Sequence, residues 1–181
     1  MKQILLCASL LMMLVSCSKS SSDGPTNDSM LRAGKWKTTA YTVRYSEGGV
    51  DKVIDLMIKR DTCRTDDYII FDSSYSGNQA NGTLMCGSEL SNAPFEWSLK
   101  DNQKTLIFNN AQYTLGVAPI VGVNGLEYVE AKITKLSSKS LTITYDYEID
   151  SVQVTTPTDP PVPYTIAHAH FYFTQVFTNS K

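Results

Sequence analysis

Cys63-Arg64-Thr65-Asp66-Asp67-Tyr68-Ile69-Ile70-Phe71 opens the stretch that decides the fold. A Gly/Asn-rich segment then leads to Cys86. Beyond it come Phe95-Glu96-Trp97-Ser98-Leu99, a turn at Asp101-Asn102, and Thr105-Leu106-Ile107-Phe108. Short apolar runs punctuated by turn residues read as three or four antiparallel strands. The block reads as half of a small β-barrel, with a cysteine at each end of its first hairpin.

Working outward, the sharpest alternation lies between Ser140 and Val154. Leu141, Ile143, Tyr145, Tyr147 and Ile149 share one face of a strand, and Thr142, Thr144, Asp146, Glu148 and Asp150 share the other. One face is buried and one is wet. Leu126 to Leu136 pairs with this strand across Ser137-Ser138-Lys139. On the N-terminal side, Gly34 to Arg44 alternates in β-favouring residues and ends at Glu47-Gly48-Gly49. Val53 to Lys59 is apolar without clean alternation and reads as a helical turn or an irregular plug. Ser73 to Gly82 reads as a loop or a polar hairpin arm. Thr155 to Pro163 carries four prolines in its last seven positions and must be a polyproline-type loop. Tyr164 to Phe177 is the closing strand. No long amphipathic helix and no internal repeat is visible. Seven to nine short strands mean a sandwich or a barrel.

The chain has 181 residues, 42% of them hydrophobic, which suits one domain with one ordinary core. Its formal charge of −2 falls to about −3 if Lys2 is removed by processing. That balance disfavours nucleic acid, which needs a basic face. Lys2 followed by the apolar stretch Ile4–Val15, about 12 residues and too short for a bilayer of about 30 Å, reads as a signal sequence. It ends Leu14-Val15-Ser16-Cys17, which resembles the lipobox of bacterial lipoproteins. That resemblance implies cleavage before Cys17, lipidation of Cys17 and anchorage by acyl chains. The rival reading is an ordinary secretory signal with an incidental cysteine. Ser18 to about Asn27 lacks aliphatic and aromatic residues and reads as a flexible tether. The residue after Cys17 is Ser18 and not Asp, which by the same resemblance points to the outer membrane. The expected division is a signal peptide over 1–16, a lipidated tether over 17–30, and one folded domain over 31–181.

With Cys7 removed and Cys17 lipidated, Cys63 and Cys86 remain. In an oxidising compartment such a pair most often forms a disulfide. A loop of about 24 residues would stabilise the fold by about 3 kcal/mol. A metal or redox pair is the weaker reading, because there is no Cys-x-x-Cys and neither cysteine has a histidine near it in sequence.

Gly34-Lys35-Trp36 resembles the Gly-x-Trp signature of lipocalins. The ordered series Cys63-x-x-Asp66-Asp67, Tyr68–Phe71, Cys86, Trp97-Ser98-Leu99, Lys104-Thr105-Leu106 and Ile133–Leu141 is similar to the lipocalin-like domains of secreted bacterial lipoproteins, over about residues 31 to 177. The resemblance implies an all-β, single antiparallel up-and-down barrel of about eight strands with a small-ligand cavity. It implies no catalytic residues.

The candidate chemistry is sparse. His168 and His170 lie two apart on a strand and could share a metal, but two ligands are not a site. Ala167, Ala169, Phe171 and Phe173 look like the core face, which turns both histidines outward. Asp146, Glu148 and Asp150 read as a solvated strand face rather than a Ca²⁺ site. Asp66-Asp67 reads as ordering the turn after Cys63. There is no Gly-x-Ser-x-Gly elbow, no Ser-x-x-Lys and no phosphate loop. The expectation is a non-enzyme without metal or cofactor. Ten tyrosines can stack and hydrogen-bond a partly wet ligand, although they also serve simply as strand formers. Trp36, Tyr145 and Tyr147 are the expected cavity-lining residues. The expected partners are the membrane, through the lipid anchor, and a small hydrophobic or amphipathic ligand or a glycan. A surface structural or carbohydrate-recognition protein with a filled barrel is the alternative.

Overall fold

A computed structural model describes residues 25–57, 62–73, 75–84, 92–110, 128–155 and 163–180, with backbone alone for 64, 92, 149–155 and 163–169. A short helix, α1 (Asn27–Arg32), precedes nine strands. These are β1 (Lys35–Glu47), β2 (Val50–Asp55), β3 (Tyr68–Phe71), β4 (Ser76–Ala80), β5 (Asn92–Lys100), β6 (Thr105–Asn109), β7 (Tyr128–Leu136), β8 (Ser140–Thr155) and β9 (Pro163–Ser180). All pairings are antiparallel, and β1 pairs with β9, closing a ring of eight strands in up-and-down order. The strand count left a sandwich or a barrel open, and the structure is the single up-and-down barrel of about eight strands that the resemblance implied. β2 stands outside the ring. It pairs with the upper part of β1, from Thr42 to Glu47, on the edge that β3 occupies lower down, from Lys35 to Lys37.

The stretch Val53 to Lys59 therefore does not begin as a helical turn. Its first residues belong to β2, which Gly48 and Gly49 make possible by taking φ of 58° and 78°. Two left-handed residues in succession close a tight hairpin whose twist matches that of its strands. Helix α1 opens at Asn27, inside the stretch 17–30 read as tether. Thr26 caps α1 by accepting from the Ser29 amide at 3.2 Å.

One irregularity sets the phase of the inner wall. Pairing between β1 and β9 slips between Thr38 and Ala40, so Thr39 and Ala40 are both exposed. A bulge adds one residue to a strand and flips every side chain beyond it. Trp36 and Thr38 point inward below it, and Tyr41, Val43 and Tyr45 point inward above it. Without the bulge, Arg44 would face the core.

The two barrel ends differ. At the lower end the connections are short: residues 72–75, 101–104 and 137–139 join β3 to β4, β5 to β6 and β7 to β8. There α1 buries Leu31 completely, and the Trp36 indole N–H donates to the Leu31 carbonyl at 2.7 Å. Trp36, Phe71, Phe95, Trp97, Phe108 and Phe177 fill this half. Phe71 meets Phe95 and Trp97 edge-on, at 5.8 Å and 5.1 Å between ring centres. Gly77 leaves room for them, since a Cβ there would lie 2.3 Å from the Phe95 ring and 2.6 Å from the Ile70 carbonyl oxygen. At the upper end the longer connections leave from Ala80, Asn109 and Thr155. The wall is also uneven: β3, β4 and β6 have four or five residues, whereas β1, β8 and β9 have 13, 16 and 18.

Candidate functional site

The three tall strands bring one aromatic wall together beneath the upper end. Register places Tyr145 opposite Phe173, Phe173 opposite Val43, Tyr147 opposite Phe171, and Phe171 opposite Tyr45. Tyr145 stacks on Phe173 with ring centres 5.0 Å apart and planes within 11°. Tyr45 and Phe171 lie 5.5 Å apart. The clean alternation of β8 accounts for Leu141, Ile143 and Tyr145, all buried, and for Tyr147, which is half-buried against the core.

Polar groups are few inside this wall, and their pairing is uneven. The hydroxyls of Tyr41 on β1 and Tyr145 on β8, the two strands that flank β9, share a buried hydrogen bond of 2.9 Å. Burial, reinforced by the Tyr41 hydroxyl, pushes the Tyr145 phenol well above its ordinary value near 10. One layer lower, Gln175 is 2% exposed; its amide nitrogen donates to the Thr38 hydroxyl at 3.0 Å. Its amide oxygen is buried and has no hydrogen-bond partner among the described residues. A buried unpaired acceptor costs about 1–3 kcal/mol and calls for a donor.

Of the residues expected to line a cavity, Tyr145 and Tyr147 belong to this wall. Trp36 sits at the closed end, sealed against α1. Tyr41 and Tyr45 could not be assigned to the wall from the sequence, because Thr39-Ala40 carries no glycine to mark the bulge. Gln175 lacked a signal altogether: a glutamine in a β-rich run normally counts as a solvent-facing residue.

His170 points outward. Its imidazole lies 3.1 Å from an Asp146 carboxylate oxygen and stacks on Tyr172 at 4.4 Å, and the Arg44 guanidinium lies over that same Tyr172 ring at 5.1 Å. Asp146 and Glu148 are exposed, as a solvated face requires. Among the described residues no group of three metal-ligating side chains comes together. The side chains of Asp150 and His168 lie outside the described residues.

Asp66 and Asp67 order backbone. One Asp66 oxygen accepts from the Thr83 amide at 2.6 Å, the Thr83 hydroxyl at 2.8 Å and the Leu84 amide at 3.2 Å. The Thr83 hydroxyl, helped by these amides, holds the Asp66 carboxyl below its usual value. Asp67 accepts from the Gly82 amide at 3.4 Å. These bonds tie the turn that carries Cys63 to residues 82–84, just before Cys86. Cys17 and Cys86 lie outside the described residues. Among those described, no helix is long and apolar enough to cross a membrane. The chain matches no protein-family model, no curated protein and no solved structure.

Proposed function

We propose that this chain is a lipid-anchored, non-enzymatic binding module of the cell envelope, lipocalin-like in kind, that holds a small amphipathic ligand beneath the upper end of its barrel. On this reading Cys17 carries the lipid, the outer membrane is its home, and a Cys63–Cys86 disulfide staples the β3–β4 hairpin. The resemblance of the Leu14–Cys17 stretch to a lipobox supports the first two. The Asp66 bonds, which draw residues 82–84 to the Cys63 turn, support the third.

The observation that carries the binding function is the unpaired Gln175 amide oxygen below an aromatic wall. Binding pockets are mostly apolar with a few placed polar groups. A ligand with a hydroxyl or amine would donate to Gln175 and rest its apolar part on Tyr145, Phe173 and Tyr41. Native mass spectrometry of the mature protein from its own source is expected to show a co-purified small molecule, absent from Gln175→Leu. The same variant should be more stable than the parent when both are stripped of ligand, because the orphaned acceptor is gone. A ligand-free parent that gains no stability from fatty acids or small aromatic alcohols would sink this reading.

The packed lower half favours the second reading, a filled barrel with a surface role. That reading expects the ligand-free result.

A further inference from the structure

The closed end of the barrel carries an open cleft of about 520 Å³ lined by Thr26, Asp28, Tyr75, Ser98, Leu99 and Gln103. It lies at the opposite end from the aromatic wall and does not depend on what binds there. We propose that this cleft is a second site, one that takes a neutral sugar ring.

Its first wall is an aromatic platform maintained against backbone strain. Tyr75 has φ of 57°, a left-handed conformation that a bulky residue adopts at a cost of about 1–3 kcal/mol. Glycine would make the same turn without that cost. Yet Tyr75 is 55% exposed, so burial does not account for its side chain. The ring is held: it packs on Trp97 at 5.5 Å, the Arg32 guanidinium lies 5.5 Å from its centre, and its carbonyl accepts from the Trp97 amide at 2.8 Å. Trp97 in turn is fixed by its indole N–H, which donates to the Ser76 carbonyl at 2.8 Å.

The opposite wall is strained as well. Asp101, Asn102 and Gln103 have φ of 54°, 54° and 66°, three left-handed non-glycine residues in a row. This turn delivers Gln103 to α1. Its carbonyl accepts from the Asn27 amide group at 2.7 Å and its side-chain oxygen from the Asp28 amide at 3.2 Å. With the oxygen engaged, the Gln103 side-chain NH₂ is the donor left for a ligand. Asp28 gives one carboxylate oxygen to Arg32 at 2.9 Å, which leaves the second as an acceptor. Ser98 adds a hydroxyl that can donate or accept.

A tyrosine ring that is 55% exposed between Arg32 and Trp97 offers apolar surface to the C–H groups of a pyranose, and fixed donors and acceptors around it suit its hydroxyls. The Asp28–Arg32 pair balances its own charge and so favours a neutral guest over an ion of either sign, and the mixed lining disfavours a purely apolar one. A neutral saccharide satisfies both conditions.

The test is isothermal titration of the mature protein with maltohexaose, cellohexaose, mannohexaose and chitohexaose. At least one is expected to bind. Tyr75→Gly should weaken that binding about tenfold or more without lowering the melting temperature, and Gln103→Ala should weaken it by a similar factor. Tyr172→Ala, which removes an exposed ring on the outer wall, should leave it unchanged. Three results would overturn the proposal: no heat with any of the four sugars, binding that survives Tyr75→Gly or Gln103→Ala, or equal loss in Tyr172→Ala.

Discussion

Single atoms decide several features of this barrel. At Gly77 the missing Cβ matters because its place is taken on two sides, by the Phe95 ring and the Ile70 carbonyl. Only the ring could give way, and it is wedged between Phe71 and Phe108. Gly77→Ala should therefore cost about 1–3 kcal/mol, read as a lower urea midpoint at unchanged slope. An unchanged midpoint would mean that the lower core is not tightly packed. The tyrosine pair makes a prediction in pH. An unfolded tyrosine ionises near 10, and burial raises Tyr145 well above that in the fold. Its contribution to stability is thus complete below about pH 10 and is lost as pH rises, because there the unfolded chain binds fewer protons than the native one. Urea midpoints at about pH 8 and about pH 11 should fall more steeply for the parent than for Tyr145→Phe. Equal falls would place the alkaline loss elsewhere.

Elements differ in how plainly the sequence announces them. β8 is legible because its alternation runs unbroken, so burial follows directly from spacing. β1 has the composition of a strand, but its inner face changes parity at Thr39-Ala40. That slip is set by pairing with β9, some 135 residues away, and no local pattern encodes it. β2 carries the opposite problem. With almost every residue exposed, it has no buried face to produce alternation, and Val50 and Val53 face solvent. β4 is Ser-Gly-Asn-Gln-Ala, a poor strand by composition, held by ladders to β3 and β5 on both sides. The candidate sites follow the same division. Tyr145 and Tyr147 came from periodicity, whereas Gln175, Tyr75 and Gln103 become notable only through what surrounds them in space.

For the molecule as a whole, the two ends of the barrel are built differently. The lower end is packed, capped by α1 and entered by the chain from residue 25; β4, β6 and β8 all finish at the upper end. If the anchor lies at Cys17, the tether joins the lower end, and the upper end faces away from the membrane. Cys17→Ala should then move the protein from the membrane to the soluble fraction, with its melting temperature unchanged. A variant that still sediments with membranes would remove the lipid anchor from this account.

The β1–β9 seam also governs when folding can finish. It joins Lys35–Tyr45 to Phe171–Ser180, nearly the full length of the described chain. Such distant pairing is slow, on the order of milliseconds to seconds, because loop entropy is spent before the contact forms. More to the point, β1 has no ring partner on that edge until the last strand exists. A chain that lacks β9 cannot close the ring, so its N-terminal half stays open until Phe171–Ser180 are present.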